Sequence, residues 1–409
     1  MTMRVYSAPW VLPGRAPGPA VIADGAVALD GERVVAVGPR AAVERAHGKG
    51  EPLDAVILPA LVNAHLHLEL SHMAGRVAGG EGLAAWIQLL LSARAASAEL
   101  DAEAAPQAMI MAAEDLVRGG VAAVGDVSNT LGSVAPLAQA GLAGTVYHEV
   151  FGFTPPRIGA SLAAARAARA EVTPPPGLRI VLTPHAIYST QLATIEELLR
   201  AGPGSIHLAE DPDERALCEV GKGAFARMLQ AMSGNARELR PKARSAVAAV
   251  APFLAPHHLA VHCVDVDEDD VALLARTGAT VVLCPRSNRY IVGRLAPLPA
   301  LLAAGIPLAV GTDSLASSPS LAPLAELAAL RRAFPGVPAR ALLPLAWNGP
   351  AVAAPHVGAL APGTAPGVLA APLGGARVAD PFEHLVSQLG AEERPFRWLA
   401  RQVPPEAAP

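Results

Sequence analysis

The sequence predicts an α/β fold: a (β/α)8 TIM barrel with a small β-sandwich domain formed by the N- and C-terminal segments. Three observations predict it. Short apolar strands and helical stretches alternate eight times from about residue 56, the pattern of a barrel of parallel strands. The two ends lack that alternation and read as short strands joined by Gly, Pro and polar turns. The length of 409 residues would alone suggest two or three domains, but barrels routinely exceed the usual domain size. The expected division is 1–55 for the first part of the β-sandwich, 56–354 for the barrel, and 355–409 for the second part and a tail. A doubly wound open sheet is the main alternative.

Residues 26–38 (AVALDGERVVAVG) read as a hairpin, two apolar runs around a polar turn. The eight barrel strands then end at residues 63–69 (NAHLHLE), 124–128 (VGDVS), 147–152 (YHEVFG), 182–188 (LTPHAIY), 206–211 (IHLAED), 261–265 (VHCVD), 283–288 (LCPRSN) and 310–314 (VGTDS). Helical stretches lie between them, such as 82–96 (GLAAWIQLLLSARAA) and 321–333 (LAPLAELAALRRA), rich in the strong helix formers Ala and Leu. The region 211–257 is longer than one helix needs and reads as two or three. The uncharged run from Leu295 to Thr312 is long enough to raise the question of a membrane span. Pro297, Pro299, Gly305 and Pro307 divide it into a helix, a break and a buried strand. Residues 356–378 read as short strands with Gly and Pro turns, able to pair with the N-terminal strands, and a Pro-rich tail follows.

Charged residues make up 17% of the chain and hydrophobic residues 52%, far from the disordered class. A formal charge of −4 implies no basic face, so no nucleic-acid partner is expected. The three cysteines, Cys218, Cys263 and Cys284, form no CxxC pair and no even set, which points to a reducing, cytoplasmic compartment. No apolar segment of signal-peptide type opens the chain, and no membrane partner is expected.

The chemistry gathers at the strand ends. His65 and His67 flank one residue at the end of the first strand. In an extended strand alternate residues share a face, so both imidazoles would point the same way, as two ligands of one ion require. Alone the pair is weak, because 12 histidines would give roughly 0.3 such pairs by chance. Distribution strengthens it. His185 ends the fourth strand, His207 the fifth, His262 the sixth and Asp313 the eighth, and barrel active sites gather at the carboxyl ends of strands. Imidazoles with one carboxylate suit a divalent zinc, or iron, better than magnesium or calcium. Such a metal brings the pKa of its bound water toward neutrality. Glu210 lies three residues past His207, in reach of substrate, where a carboxylate can carry protons. Its plainer role would be at the start of a helix opened by Asp211 and Pro212. HExxH, PCxxC, GxSxG and P-loop motifs are absent.

The ordered set LVNAHLHLE, TPHAIYS, HLAEDPDE, VHC, CPRSN and GTDSLAS resembles the amidohydrolase superfamily over nearly the whole chain. It is similar to the branch holding cytosine deaminase, S-adenosylhomocysteine deaminase, chlorohydrolases and aminodeoxyfutalosine deaminase, and resembles the last most in HLHLELS, CPRSNR and GTDSLAS. The resemblance implies a hydrolase of carbon–nitrogen bonds in cyclic amidines. Its substrate would be an aminated purine-type nucleoside, with aminodeoxyfutalosine the first expectation, attacked by metal-bound hydroxide with loss of ammonia. It implies that His65, His67, His207 and Asp313 hold one metal ion. Glu210 would protonate the ring nitrogen and then the leaving amine. His262 would orient and polarise the water, Asp313 would take its proton, and His185 would contact substrate. Relatives that bridge two metals use a lysine on the fourth strand. None of Lys49, Lys222 and Lys242 falls at a strand end here, so one metal is expected. Glu69 is a candidate for a ribose hydroxyl or amide and Arg286 for a substrate carboxylate, though each could equally serve the protein's own structure. Asn288 reads as a loop brace. The stretch 233–257 departs from the short connection of that branch, which leaves the substrate open. A homodimer is the default assembly.

Three other readings compete. A relative on the same scaffold could act on another heterocycle or release chloride. A non-catalytic member of the family would be expected to lose ligands that this chain keeps. A sugar or phosphate barrel enzyme would want a Gly-rich loop after the seventh or eighth strand, where this chain has CPRSN and GTDSLASS.

Overall fold

The structure, a computed structural model, describes residues 3–18, 20–233, 240–392 and 396–401. Eight parallel strands form its centre: β6 (Leu61–Leu66), β7 (Val121–Ser128), β8 (Ala143–Val150), β9 (Leu178–Pro184), β10 (Gly204–Leu208), β11 (His258–His262), β12 (Thr280–Leu283) and β13 (Leu308–Val310). They form two parallel sheets of four, β6-β7-β8-β9 and β10-β11-β12-β13, each in chain order. A doubly wound sheet would reverse direction part-way, and neither sheet does.

Isolated bridges join the sheets at both seams, Ala186 to His207 and Leu66 to Asp313. Among the described residues these seams carry no continuous ladder, so the eight strands stand as two sheets and not as one closed ring. The physical reason is strand length. β13 has three residues and β10 five, and Pro307 just before β13 has no N–H to offer a neighbour. Alternate strand residues fill the space between the sheets: Val62, Ala64, Ala123, Val127, Tyr147, Leu259, Val261, Val282 and Ala309, with Val352, Ala354 and Val357 beneath them.

The two ends of the chain meet in one mixed sheet. It holds β1 (Met3–Val11), β2 (Ile22–Asp30), β3 (Arg33–Pro39), β4 (Glu51–Pro52) and β5 (Ala55–Pro59) from the N-terminal side, and β14 (Val368–Pro372) and β15 (Arg397–Ala400) from the C-terminal side. β2 and β3 are the expected hairpin, and β5 pairs antiparallel with β14, Leu58 opposite Leu369. The structure gives this unit as a single seven-stranded sheet, where a sandwich was expected.

The run from Leu295 resolves as a helix, Leu298–Ala303, and the buried strand β13. No helix among the described residues is long and apolar enough to cross a membrane. The region 211–257 holds helices at Pro212–Val220, Gly223–Ser233 and Ala246–Val250 and a 3-10 turn at Ala251–Phe253; residues 234–239 lie outside the described residues. So do residues 402–409 of the tail.

Candidate metal centre and active site

The carboxyl ends of the parallel strands bring together most of the groups that the sequence singled out. His65 and His67 do share a face, with ring centroids 4.9 Å apart. The β6–β7 register shifts between Asn63 and Leu66, an irregularity of the kind that re-aims side chains beside active sites. Gly311 allows β13 to approach, because a Cβ there would stand 2.7 Å from His65 Cβ and carbonyl oxygen. That His65 carbonyl then accepts from the Thr312 and Asp313 amides (2.9 and 3.1 Å), which docks the aspartate against the paired histidines.

One nitrogen each from His65, His67 and His207 lies within 4.8 Å of the others. His67 Nε2 is 3.2 Å from His207 Nε2, and Asp313 Oδ1 is 3.5 Å from His67 Nε2 and 3.9 Å from His65 Nε2. A tetrahedral ion with ligand bonds of about 2.0–2.2 Å needs its ligand atoms about 3.3–3.6 Å apart. Both ring nitrogens of buried His65 lack a hydrogen-bond partner, a costly state unless something else engages them. Burial, and then the neighbouring imidazoles, hold His65 well below the usual histidine pKa, so it stays neutral with a free lone pair. Spacing, orphaned nitrogens and donor type all fit a divalent metal. Asp313 is steadied by Ser287 Oγ (2.6 Å to Oδ2) and by the Ser314 amide (2.8 Å to Oδ1).

Glu210, His262 and Asp313 form a second buried group. Asn288 Nδ2 donates to His262 Nδ1 (2.9 Å), which leaves the proton of neutral His262 on Nε2, 3.3 Å from Glu210 Oε2. Asn288 therefore braces a functional histidine as well as its loop. Burial first, then Asp313, Glu214 and Asp211, raise Glu210 well above the ordinary carboxylate range. Glu214 was missed by the sequence reading. It is buried and accepts from the amides of Ala209 (3.0 Å) and Glu210 (2.7 Å), so it fixes the backbone that presents Glu210. It is also the third helical residue of the capping box opened by Asp211. Asp211 thus opens the helix, while Glu210, one residue before it, stands with His262 and Asp313.

The backbone is strained here. Ala209, His262, Cys263 and Asp313 all have positive φ, between 48° and 76°. Such residues cost of order 1–3 kcal/mol each and cluster at active sites.

His185 lies beside the cluster, its ring 4.9 Å from that of His207 and its Nδ1 2.5 Å from Ser189 Oγ. Phe151, Phe153, Tyr188, Met228 and Met232 wall a cavity of about 320 Å³ next to it, with Arg157 as the charged lining residue. Glu69 turns to the loop after β7: its carboxylate accepts from Ser128 Oγ (2.5 Å), the Asn129 amide (2.8 Å), Thr130 Oγ1 (2.7 Å) and the Gly132 amide (3.1 Å). Arg286 is not brought to the cluster as a free cation. Its Nε donates to buried Glu326 (2.6 Å) and its Nη2 to the Ser320 carbonyl (2.7 Å). Arg286 thus lies in an ion pair with Glu326, the structural role that the sequence reading set beside a substrate contact.

Residues 56–366 match the amidohydrolase family. The chain belongs to that family. Among curated amidohydrolase relatives, an aminodeoxyfutalosine deaminase of Deinococcus radiodurans is 33% identical over 350 residues, 80% of each chain. A 5-methylthioadenosine/S-adenosylhomocysteine deaminase of Nitratidesulfovibrio vulgaris is 31% identical over 370 residues, 84% of this chain and 78% of that one. Among solved amidohydrolase structures, the aminofutalosine deaminase of Helicobacter pylori, in complex with methylthio-coformycin, superposes with a TM-score of 0.81 at 23% identity. It covers 96% of this chain and 97% of its own, a likeness of fold.

Proposed function

We propose that this amidohydrolase is a metal-dependent hydrolytic deaminase of a purine-type nucleoside, with aminodeoxyfutalosine as first substrate. The observation that carries it is the placement of the Glu210–His262 pair beside Asp313 and three closely spaced imidazoles. His65, His67, His207 and Asp313 would hold one ion, zinc before iron by donor type. When bound, the ion supplies a water acidic enough to act as nucleophile near neutral pH.

The chain's own residues do the rest. Asp313, with one oxygen toward the histidines and the other held by Ser287, takes the water's proton. His262, with its Nε2–H free to face the water, orients the nucleophile. Glu210 donates a proton to the ring nitrogen, takes up the proton of the added hydroxyl and passes it to the exocyclic amine, so that ammonia leaves and an oxo group remains; the proton held by Asp313 then restores Glu210. His185 and the neighbouring cavity receive the rest of the nucleoside. Arg157 takes the part first given to Arg286, as the cation that meets a carboxylate on an apolar substituent. Glu69, already engaged with residues 128–132, reaches a ribose hydroxyl through capacity left on Oε2.

The architecture belongs to the same reading. The two sheets act as one eight-stranded barrel joined through their seam bridges, over about 56–354. The terminal sheet, with the segments up to 55 and from 355, folds over itself as a small β-sandwich. The three cysteines are free and buried, in keeping with a cytoplasmic protein, and a homodimer is the proposed assembly.

The test is ammonia release by metal-loaded protein from aminodeoxyfutalosine, S-adenosylhomocysteine, adenosine and cytosine. Fast release from the first alone is the expected result. Release from S-adenosylhomocysteine alone would move the substrate within the family, and silence on all four with metal bound would sink the deaminase reading.

A further inference from the structure

Glu149 stands one residue before the end of β8 and has no part in the chemistry above, yet it is buried, 7% exposed, among the site's histidines. Its Oε1 lies 3.4 Å from His207 Nδ1. The His185 carbonyl oxygen lies 3.3 Å from the same nitrogen. Both neighbours of Nδ1 are therefore acceptors, so Nδ1 carries the proton of the neutral ring. The lone pair is left on Nε2, the nitrogen that faces His67. Glu149 is itself held. Asn129 Nδ2 donates to its Oε2 (3.2 Å), while the Asn129 amide donates to Glu69 Oε2 (2.8 Å). One asparagine thus ties the carboxylate behind His207 to the carboxylate at the other edge of the site.

We infer that Glu149 is a positioning residue for the metal centre, fixing the tautomer and ring orientation of His207 and raising its basicity as a ligand. The inference rests on His207 being a metal ligand. A carboxylate behind a ligating imidazole raises the basicity of the bound nitrogen, and removing such a partner typically lowers metal affinity 10–100-fold. Glu149 also lies with His185 and His207 in a group whose ligand atoms are within 4.8 Å of one another, so a second ion between them is the rival assignment. The tautomer argument favours the positioning role, because an ion at Nδ1 would have to displace its proton beside the His185 carbonyl.

The experiment compares the wild-type chain with Glu149→Gln and Glu149→Asp. It reads zinc dissociation constants by chelator competition, metal stoichiometry and apo-protein melting, none of which needs a substrate. Expected are one ion per chain in all three, zinc affinity 10–100-fold weaker in Glu149→Gln, a smaller loss in Glu149→Asp, and unchanged apo melting. With a working substrate, kcat should fall more than KM. Unchanged zinc affinity in Glu149→Gln would overturn the inference, since the His185 carbonyl would then suffice. Two ions per chain falling to one would overturn it in favour of the second site. If the substrate panel fails while zinc affinity shifts, the deaminase reading fails and this one stands.

Discussion

At the scale of single residues the proposed function divides the site into groups that hold and groups that move protons, and substitutions should separate them. Glu210→Gln keeps shape and hydrogen bonding but loses the transferable proton. It should lower turnover about 10²–10⁴-fold with metal content unchanged, checked by kinetics and metal analysis on one preparation. Arg286→Met should instead cost stability, about 3–5 kcal/mol, because buried Glu326 loses its counter-charge. Denaturant unfolding reads this, and a KM that rises while stability holds would show that Arg286 meets substrate after all. The metal-ligand candidates were legible because imidazoles at the ends of several strands are a rare pattern. Glu149 was not. It stands beside His148 in the sequence, where HExxH is the motif to test and reject, and its value comes from facing His207 on another strand. The readable signal was parity: Tyr147 fills the space between the sheets, so Glu149, two residues on, points the same way at the strand's carboxyl end.

Among the elements, the seam between β6 and β13 decides how well the centre is built. Gly311 stands where any side chain would press on His65. Gly311→Ala would place its Cβ 2.7 Å from His65 Cβ and carbonyl oxygen and 2.9 Å from its amide nitrogen, and neither backbone can yield without moving a ligand. Zinc affinity and melting temperature should both fall, with zinc affinity the more sensitive; a variant that binds zinc like wild type would show the seam to be tolerant. Strand order and strand ends were readable from alternation and motifs. The division into two sheets was not, because residue patterns report which face a side chain takes and say little about how many ladder bonds a three-residue strand forms. Arg286 shows the same limit. Its partner Glu326 lies 40 residues on, on the helix Pro323–Ala333, and only packing reveals that the carboxylate is buried.

For the whole molecule, a metal held as proposed would tie the two sheets together, since His65 and His67 belong to one and His207 and Asp313 to the other. Stripping it with a chelator should lower the melting temperature, and adding zinc back should restore it in proportion to log free zinc; at a hundredfold excess over Kd the gain is about 2.7 kcal/mol. A melting curve blind to zinc would detach the centre from the fold. The terminal sheet bears on how the chain is made in a cell. β5, an all-buried apolar segment (AVILP), lies between β1 and β14, and β14 is synthesised long after it. At about 5–20 residues per second, tens of seconds pass between the ribosome's delivery of Leu58 and of Leu369. Throughout that interval β5 presents a bare, sticky edge. A prematurely ended chain would carry that edge permanently, a mark by which chaperones and proteases could tell a broken product from a finished one.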